Sequence, residues 1–382
     1  MPGDDKQAGD ARRARQFPAL RILEAAGIAL SPASIVIAAL ASFLLTISGQ
    51  FVDLIFRPSV QSTPVSIDAD RWGTQIGIVP PFDRTLIAAV ARPWSSVLEP
   101  VISVLNSGWE WGFSARMSCR FALALAAWSL VGVILCRRSA YLFVGHDDSS
   151  VRLAIQYGLK RWPASVGAPL IPLVAAFLMA MSLATVGLVG RFPFVGSTWL
   201  TIASPFLGLM GFGMAFLLFA TACGWPLMVA AIATDDCDSF GGLSRAYSGL
   251  TGRPWQVAAH TVFGLLVGIV LMWIVILIGE MTIWCATSCT ALGSGLTQAH
   301  DSLFGPLTFL ADQTVAGIGI SFFWSATAVI YLLLRQEVDG IPLDRIAPDD
   351  EARPVRDPLP VVGIPATDAR TESNGKVPGI DQ

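Results

Sequence analysis

Six runs of apolar residues organise the chain, at about 27–48, 117–144, 166–189, 199–233, 257–279 and 314–334. At about 1.5 Å of rise per residue, roughly 20 residues suffice to bridge a hydrocarbon core about 30 Å thick. Charged residues are nearly absent from these runs and crowd the tails and connections. The pattern predicts an all-α integral membrane protein with about six transmembrane helices. The first run, centred on "SPASIVIAALASFLLTIS", is too long for a signal-peptide core. No polar stretch leads from it to a clean cleavage site, so it reads as an uncleaved span with Pro32 in its first turns.

Between the first two spans lies a long connection, 50–116. Its middle, "LIAAVARPWSSVLEPVISVL", is apolar but interrupted by Arg92, Pro93, Glu99 and Pro100. Each charge at the centre of a bilayer costs about 2.5–3.5 kcal/mol on insertion scales. Two charges and two prolines argue against a full span and for an interfacial or re-entrant helix pair.

Two shorter amphipathic stretches resemble each other. "DSSVRLAIQYGLKRWP" (148–163) and "DSFGGLSRAYSGLTGRPW" (238–255) share Asp-Ser-x-x-x-Leu-x-x-x-Tyr, and each ends in Arg, Trp and Pro ahead of a span. The repeat predicts a same-sense duplication of a helical hairpin, with two amphipathic helices on the inner face. Asp148 and Asp238 are placed to cap the two helix starts. In the first copy Val151, Ala154, Ile155 and Gly158 form an apolar stripe opposite Arg152, Gln156 and Lys160. In the second, Phe240, Leu243, Tyr247 and Leu250 oppose Arg245 and Ser248. Tyr157, Arg161 and Trp162, with Tyr247, Arg253 and Trp255, are the expected interfacial anchors.

The second copy also carries a family resemblance. "LSRAYSGLTGRPW" (Leu243–Trp255) is similar to the Leu-x-Arg-Ser-Trp-x-Leu-Thr-x-Gly-x-x-Trp spelling. That spelling precedes spanning helices in the membrane domain attached to some glycerophosphoryl diester phosphodiesterases, and in related multipass bacterial proteins. Arg245, Leu250, Thr251, Gly252 and Trp255 fit, with the glycine one position early. The resemblance covers under 20 residues of 382. It implies a membrane-embedded accessory module and supplies no catalytic residue, since that family's catalytic barrel is a separate soluble domain.

Composition agrees with the pattern. Hydrophobic residues make up 53% of the chain and charged residues 14%, against about 25% charged in soluble domains. With net charge −3 and no extended basic field, nucleic acid is not an expected partner; the bilayer, another membrane protein or a second copy is. Arg137, Arg138, Arg152, Lys160, Arg161, Arg245 and Arg253 collect on one side of a six-span topology, whereas 280–313 carries no Lys or Arg. The positive-inside rule then places both ends in the cytoplasm. The domain reading is a basic tail at 1–24, a polytopic domain at 25–335 and a solvated, disordered tail at 336–382.

Candidate chemistry is sparse. Asp235, Asp236 and Asp238, with Asp147 and Asp148, invite a cation site, but two capped helix starts account for the same letters. Ser294, His300 and Asp301 share a connection without a nucleophile frame. His260 reads as a satisfied residue near a span end. Cys285 and Cys289 are either a disulfide or two small apolar side chains. Gly208, Gly211, Gly264, Gly268 and Gly317 are candidate helix-packing positions, internal or between copies. No metal, cofactor or catalytic set is expected. The sequence favours a non-enzymatic scaffold or accessory subunit of an inner membrane, with a transporter or channel for an uncharged or amphipathic solute as the alternative. A lipid-active enzyme ranks third.

Overall fold

The computed structural model describes residues 21–56, 84–107, 111–145, 150–192, 196–294, 300–343 and 346. Helices account for nearly all of them, and no strand occurs among the described residues. In chain order they are α1 (Ile22–Ala29), α2 (Pro32–Ile55), α3 (Arg84–Val90), α4 (Arg92–Ser107), α5 (Trp111–Val144), α6 (Val151–Val189), α7 (Gly196–Asp235), α8 (Ser239–Gly252), α9 (Pro254–Ser294) and α10 (His300–Asp339). Among the described residues six, α2, α5, α6, α7, α9 and α10, are long and apolar enough to cross a membrane. This fits a multipass membrane protein.

The first apolar run divides where its sequence says a helix should start. Ser31 is extended (φ −63°, ψ 129°) and Pro32 opens α2, a position where its missing N–H is no loss. The chain before it forms α1, with Ile22, Ala25 and Ala29 buried against α5, α9 and α10. The expected N-terminal tail therefore gives way to packed helix at Ile22, and the first long apolar helix covers 32–55. At the other end α10 runs on to Asp339, past the expected boundary at 335.

α10 is the axis of the bundle. In its most apolar window 94% of residues are buried, against 11% in α6 and in α7. Its two faces receive α9 and α2 at glycines. A Cβ on Gly268 would meet Phe322 of α10, and one on Gly317 would lie 2.8 Å from the carbonyl oxygen of Ile35. The aromatic centre is Trp324, edge-on to Trp225 of α7 at 5.6 Å and to Phe323 at 5.0 Å. Gly132 of α5 admits the Trp324 ring: a Cβ there would sit 2.7 Å from it.

The interrupted segment of the first connection enters this bundle and turns back. α3 ends against α9 and α10. Val90 approaches Gly268, and the Ala89 carbonyl approaches Gly319, two residues from the Gly317 contact with α2. The helix breaks at Ala91, and α4 returns alongside α5. Trp94 donates its indole N–H to the Ala222 carbonyl of α7 at 2.8 Å, and Trp128 donates to Ser96 Oγ at 2.6 Å. The two short helices are thus packed into the bundle, not laid apart from it. Ala91 at the break is half-buried, and its N–H still bonds the Ile87 carbonyl at 2.9 Å.

The paired amphipathic stretches fold differently from each other. The first is not a separate surface helix: α6 runs unbroken from Val151 to Val189 through Pro163, Pro169 and Pro172. An interior proline costs about 3 kcal/mol locally. Here packing of Ala154, Tyr157, Gly158, Ser165 and Ala168 against neighbouring helices outweighs it. The buried stripe is correspondingly rotated: Tyr157 faces inward and Ile155 is exposed. The second stretch does form its own helix, α8, because Arg253 (φ −141°, ψ 63°) is held out of helical geometry ahead of Pro254.

Candidate functional site

Ionisable groups converge where α5, α6, α7 and α10 end or begin, and α8 crosses them. α7 stops at Asp235 because Asp236 adopts a left-handed conformation (φ 51°), which aspartate tolerates better than most residues. Asp238 then caps α8 by accepting the Gly241 N–H at 2.8 Å. Of the acidic trio, only Asp238 acts as a helix cap. Asp235 and Asp236 are ion-pair acceptors.

Asp235 is buried and takes donors from two helices. Tyr331 and Arg335, four residues apart on α10, each reach it at 2.5 Å. Arg245 of α8 completes the set. Asp236, also buried, pairs with Arg161 of α6 and accepts from the Tyr157 hydroxyl at 3.2 Å. Tyr157 also donates to the Ile232 carbonyl at 2.8 Å. Its ring lies under the guanidinium of Arg137, 4.2 Å from centroid to Cζ. Arg137 is itself fully buried, donating to the Ala233 carbonyl at 3.0 Å and the Tyr141 hydroxyl at 2.8 Å. α5, α6, α8 and α10 are thus tied through α7 and the Asp235–Asp236 turn that follows it. Taking charges out of water costs several kcal/mol per ion, and multiple charge-assisted bonds to each carboxylate offset that cost.

The cluster sets the acid–base behaviour of α8 and its connection. Burial works against the charge on Arg245, but Asp235, Tyr331 and Cys237 together outweigh it, and the guanidinium is held above its ordinary value. Burial pushes the Cys237 thiol up to about 11, so it stays protonated at neutral pH. Both carboxylates are occupied by cations and phenols, an arrangement suited to joining helices rather than to moving protons.

Several expected anchors belong to this network. Tyr157, Arg161 and Arg245 each bond protein partners, and Arg245 also keeps part of its side chain exposed. Tyr247 bonds protein too, with its hydroxyl 3.1 Å from Thr221 Oγ1. Trp162 donates to the Ala126 carbonyl at 2.9 Å, Arg253 to Gln256 at 3.3 Å, and Trp255 is open to the exterior. Asp148 lies outside the described residues, as do Asp147 and the side chains of Ser294, His300 and Asp301. His260 Nδ1 is bonded to the Gln256 carbonyl at 2.8 Å. Gly264 faces Ile330, and Gly268 and Gly317 stand at the contacts given above, whereas a Cβ on Gly208 or Gly211 would meet nothing within 4 Å. Cys285 and Cys289 are free and exposed. Among the described residues no group of three or more His, Cys, Asp or Glu is placed to hold a metal ion.

No family model, no curated protein and no solved structure matches this chain. Sequence reasoning missed the roles of Tyr141, Tyr331 and Arg335, although a signal exists. Arg137–Tyr141 and Tyr331–Arg335 are Arg/Tyr pairs four residues apart on helices, at the ends of apolar runs. It also missed Asp53 of α2, which pairs with Arg120 and Arg116 of α5 at the opposite end of the bundle.

Proposed function

We propose that the chain is a multipass protein of a cytoplasmic membrane that acts as a non-enzymatic scaffold or accessory subunit. The observation that carries this reading is where the ionic groups go. Asp235, Asp236, Arg137, Arg161 and Arg335 are spent on joining α5, α6, α7 and α10 to one another. Meanwhile α6 and α7 offer long apolar surfaces at Phe177, Leu178, Phe206, Phe212 and Phe216 to lipid or to a membrane partner. The local similarity of Leu243–Trp255 to an accessory membrane domain supports the same reading. Arg21, Arg137, Arg138, Arg152, Lys160, Arg161, Arg245, Arg253 and Arg335 all lie toward the Asp235 end, which supports a cytoplasmic placement for that end.

A second reading, a transporter for an uncharged or amphipathic solute, is favoured by the broken α3–α4 pair, since broken helices inside a bundle commonly line solute paths. The experiment is affinity isolation from native membranes in mild detergent, paired with solute flux in liposomes holding the purified protein. A stoichiometric membrane partner and no flux are expected. Saturable flux, or isolation with no partner, overturns the scaffold reading.

A further inference from the structure

A shallow cleft opens between α8 and the end of α10. Its walls include Arg245, Ser248 and Gly249 on one side and Tyr331, Arg335 and Asp339 on the other. Two guanidiniums here share the single carboxylate of Asp235, so the trio carries a net charge of +1. Arg335 is sunk, with 3% of its side chain exposed, and also reaches the Pro342 carbonyl. Arg245 is different. Its side chain is 42% exposed, and its partners Asp235 and Tyr331 take only part of a fork with five N–H donors. The Tyr331 hydroxyl is committed to Asp235. At Gly249 an added Cβ would meet nothing within 4 Å, so the α8 wall is open beside the guanidinium. Asp339 stands exposed on the other wall, an opposing charge that any anion must pass.

We propose that this cleft is a binding site for a phosphate-bearing anion, with Arg245 presenting the recognising fork and Arg335 supplying charge from behind. A planar guanidinium matches two phosphate oxygens, which is why arginine serves where such geometry matters. The source is either the headgroup of an anionic phospholipid or a free phosphate, which share this chemistry. The site rests on the charged end being accessible to such anions but not on which side of the membrane that end faces.

The test uses the full-length protein in detergent. Retention of phosphatidylglycerol against phosphatidylcholine is measured by native mass spectrometry, and thermal stabilisation by inorganic phosphate against chloride in parallel. Arg245→Gln is expected to reduce the response about tenfold, the loss of a charge-assisted pair. Gly249→Leu, which fills the cleft without touching a charge, is expected to reduce it similarly, and Asp339→Asn to strengthen it. Selective phosphatidylglycerol retention assigns the lipid source, and stabilisation by phosphate without it assigns the free anion. No selectivity in either arm, or a response unchanged by both Arg245→Gln and Gly249→Leu, overturns the proposal. Cysteine accessibility at 245 in intact cells reads the sidedness separately, so failure of the cytoplasmic placement is distinguishable from failure of the site.

Discussion

The two halves of α7 have similar composition and opposite surroundings. From Ala220 to Thr234 nearly every residue is buried, enclosed by α5, α6, α8 and α10. From 197 to 219 no residue is buried, and Trp199, Ile202, Phe206, Leu209, Phe212, Phe216 and Phe219 are exposed. α6 changes in the same way: the last buried residue is Ala176, and Phe177, Leu178, Met181 and Leu188 are open. A helix that is apolar all round needs an apolar environment, and it has two sources for one, protein or lipid. Near the charged end α6 and α7 use protein. Beyond it they keep each other as neighbours, and their hydroxyls turn back on their own helices, as Ser182 does to Leu178 and Thr201 to Ser197. Apolar letters alone do not distinguish the two solvents, whereas ionic residues at one end show which half is held by protein.

Breaking the enclosed half should be costly and altering the open half should not. The largest effect is expected from Asp235→Ala, which leaves Arg335 buried without its carboxylate. Removal of one partner from a buried pair costs about 3–5 kcal/mol, read as a fall in the thermal midpoint in detergent. Arg335→Ala together with Asp235→Ala should recover part of that loss. Gly132→Ala comes next. Its Cβ would meet Trp324 and Val229 below 3 Å, and overpacking of this kind costs about 1–3 kcal/mol. Tyr157→Phe removes the hydroxyl bonded to Ile232 and Asp236 and should cost about 1–2 kcal/mol. Phe212→Ala, in the open half, should shift stability by no more than about 0.5 kcal/mol. Thiol chemistry adds a kinetic contrast. Burial holds the Cys237 thiol protonated at pH 7, so maleimide should modify it far more slowly than the exposed Cys285. Comparable rates at the two positions would contradict its burial.

Much of this architecture was legible in the chain. Six apolar runs became six long helices, and Arg92 and Pro93 marked the break between α3 and α4, whereas Pro100 stays inside α4. What could not be read locally was the partner of each ionic group. Asp236 and Arg161 are 75 residues apart, and Asp235 and Arg335 are 100 apart. Their pairing depends on how α6, α7 and α10 are arranged, which periodicity does not encode. The two amphipathic stretches make the same point. Their shared letters predict one structure twice, yet Trp162–Pro163 stays helical under packing while Arg253–Pro254 breaks the chain. The cap at Asp238 was legible because it is local, whereas α6 starts after Ser150, whose side chain makes no cap bond.

The central claim is that the open half of α6 and α7 has lipid, not water, as its solvent. A spin label on a single cysteine at position 212, in protein reconstituted into liposomes, tests it directly. Collision with dissolved oxygen should far exceed collision with a water-soluble nickel complex, as it does within a bilayer. Nickel-dominated relaxation at 212 would place this surface in water and contradict the account.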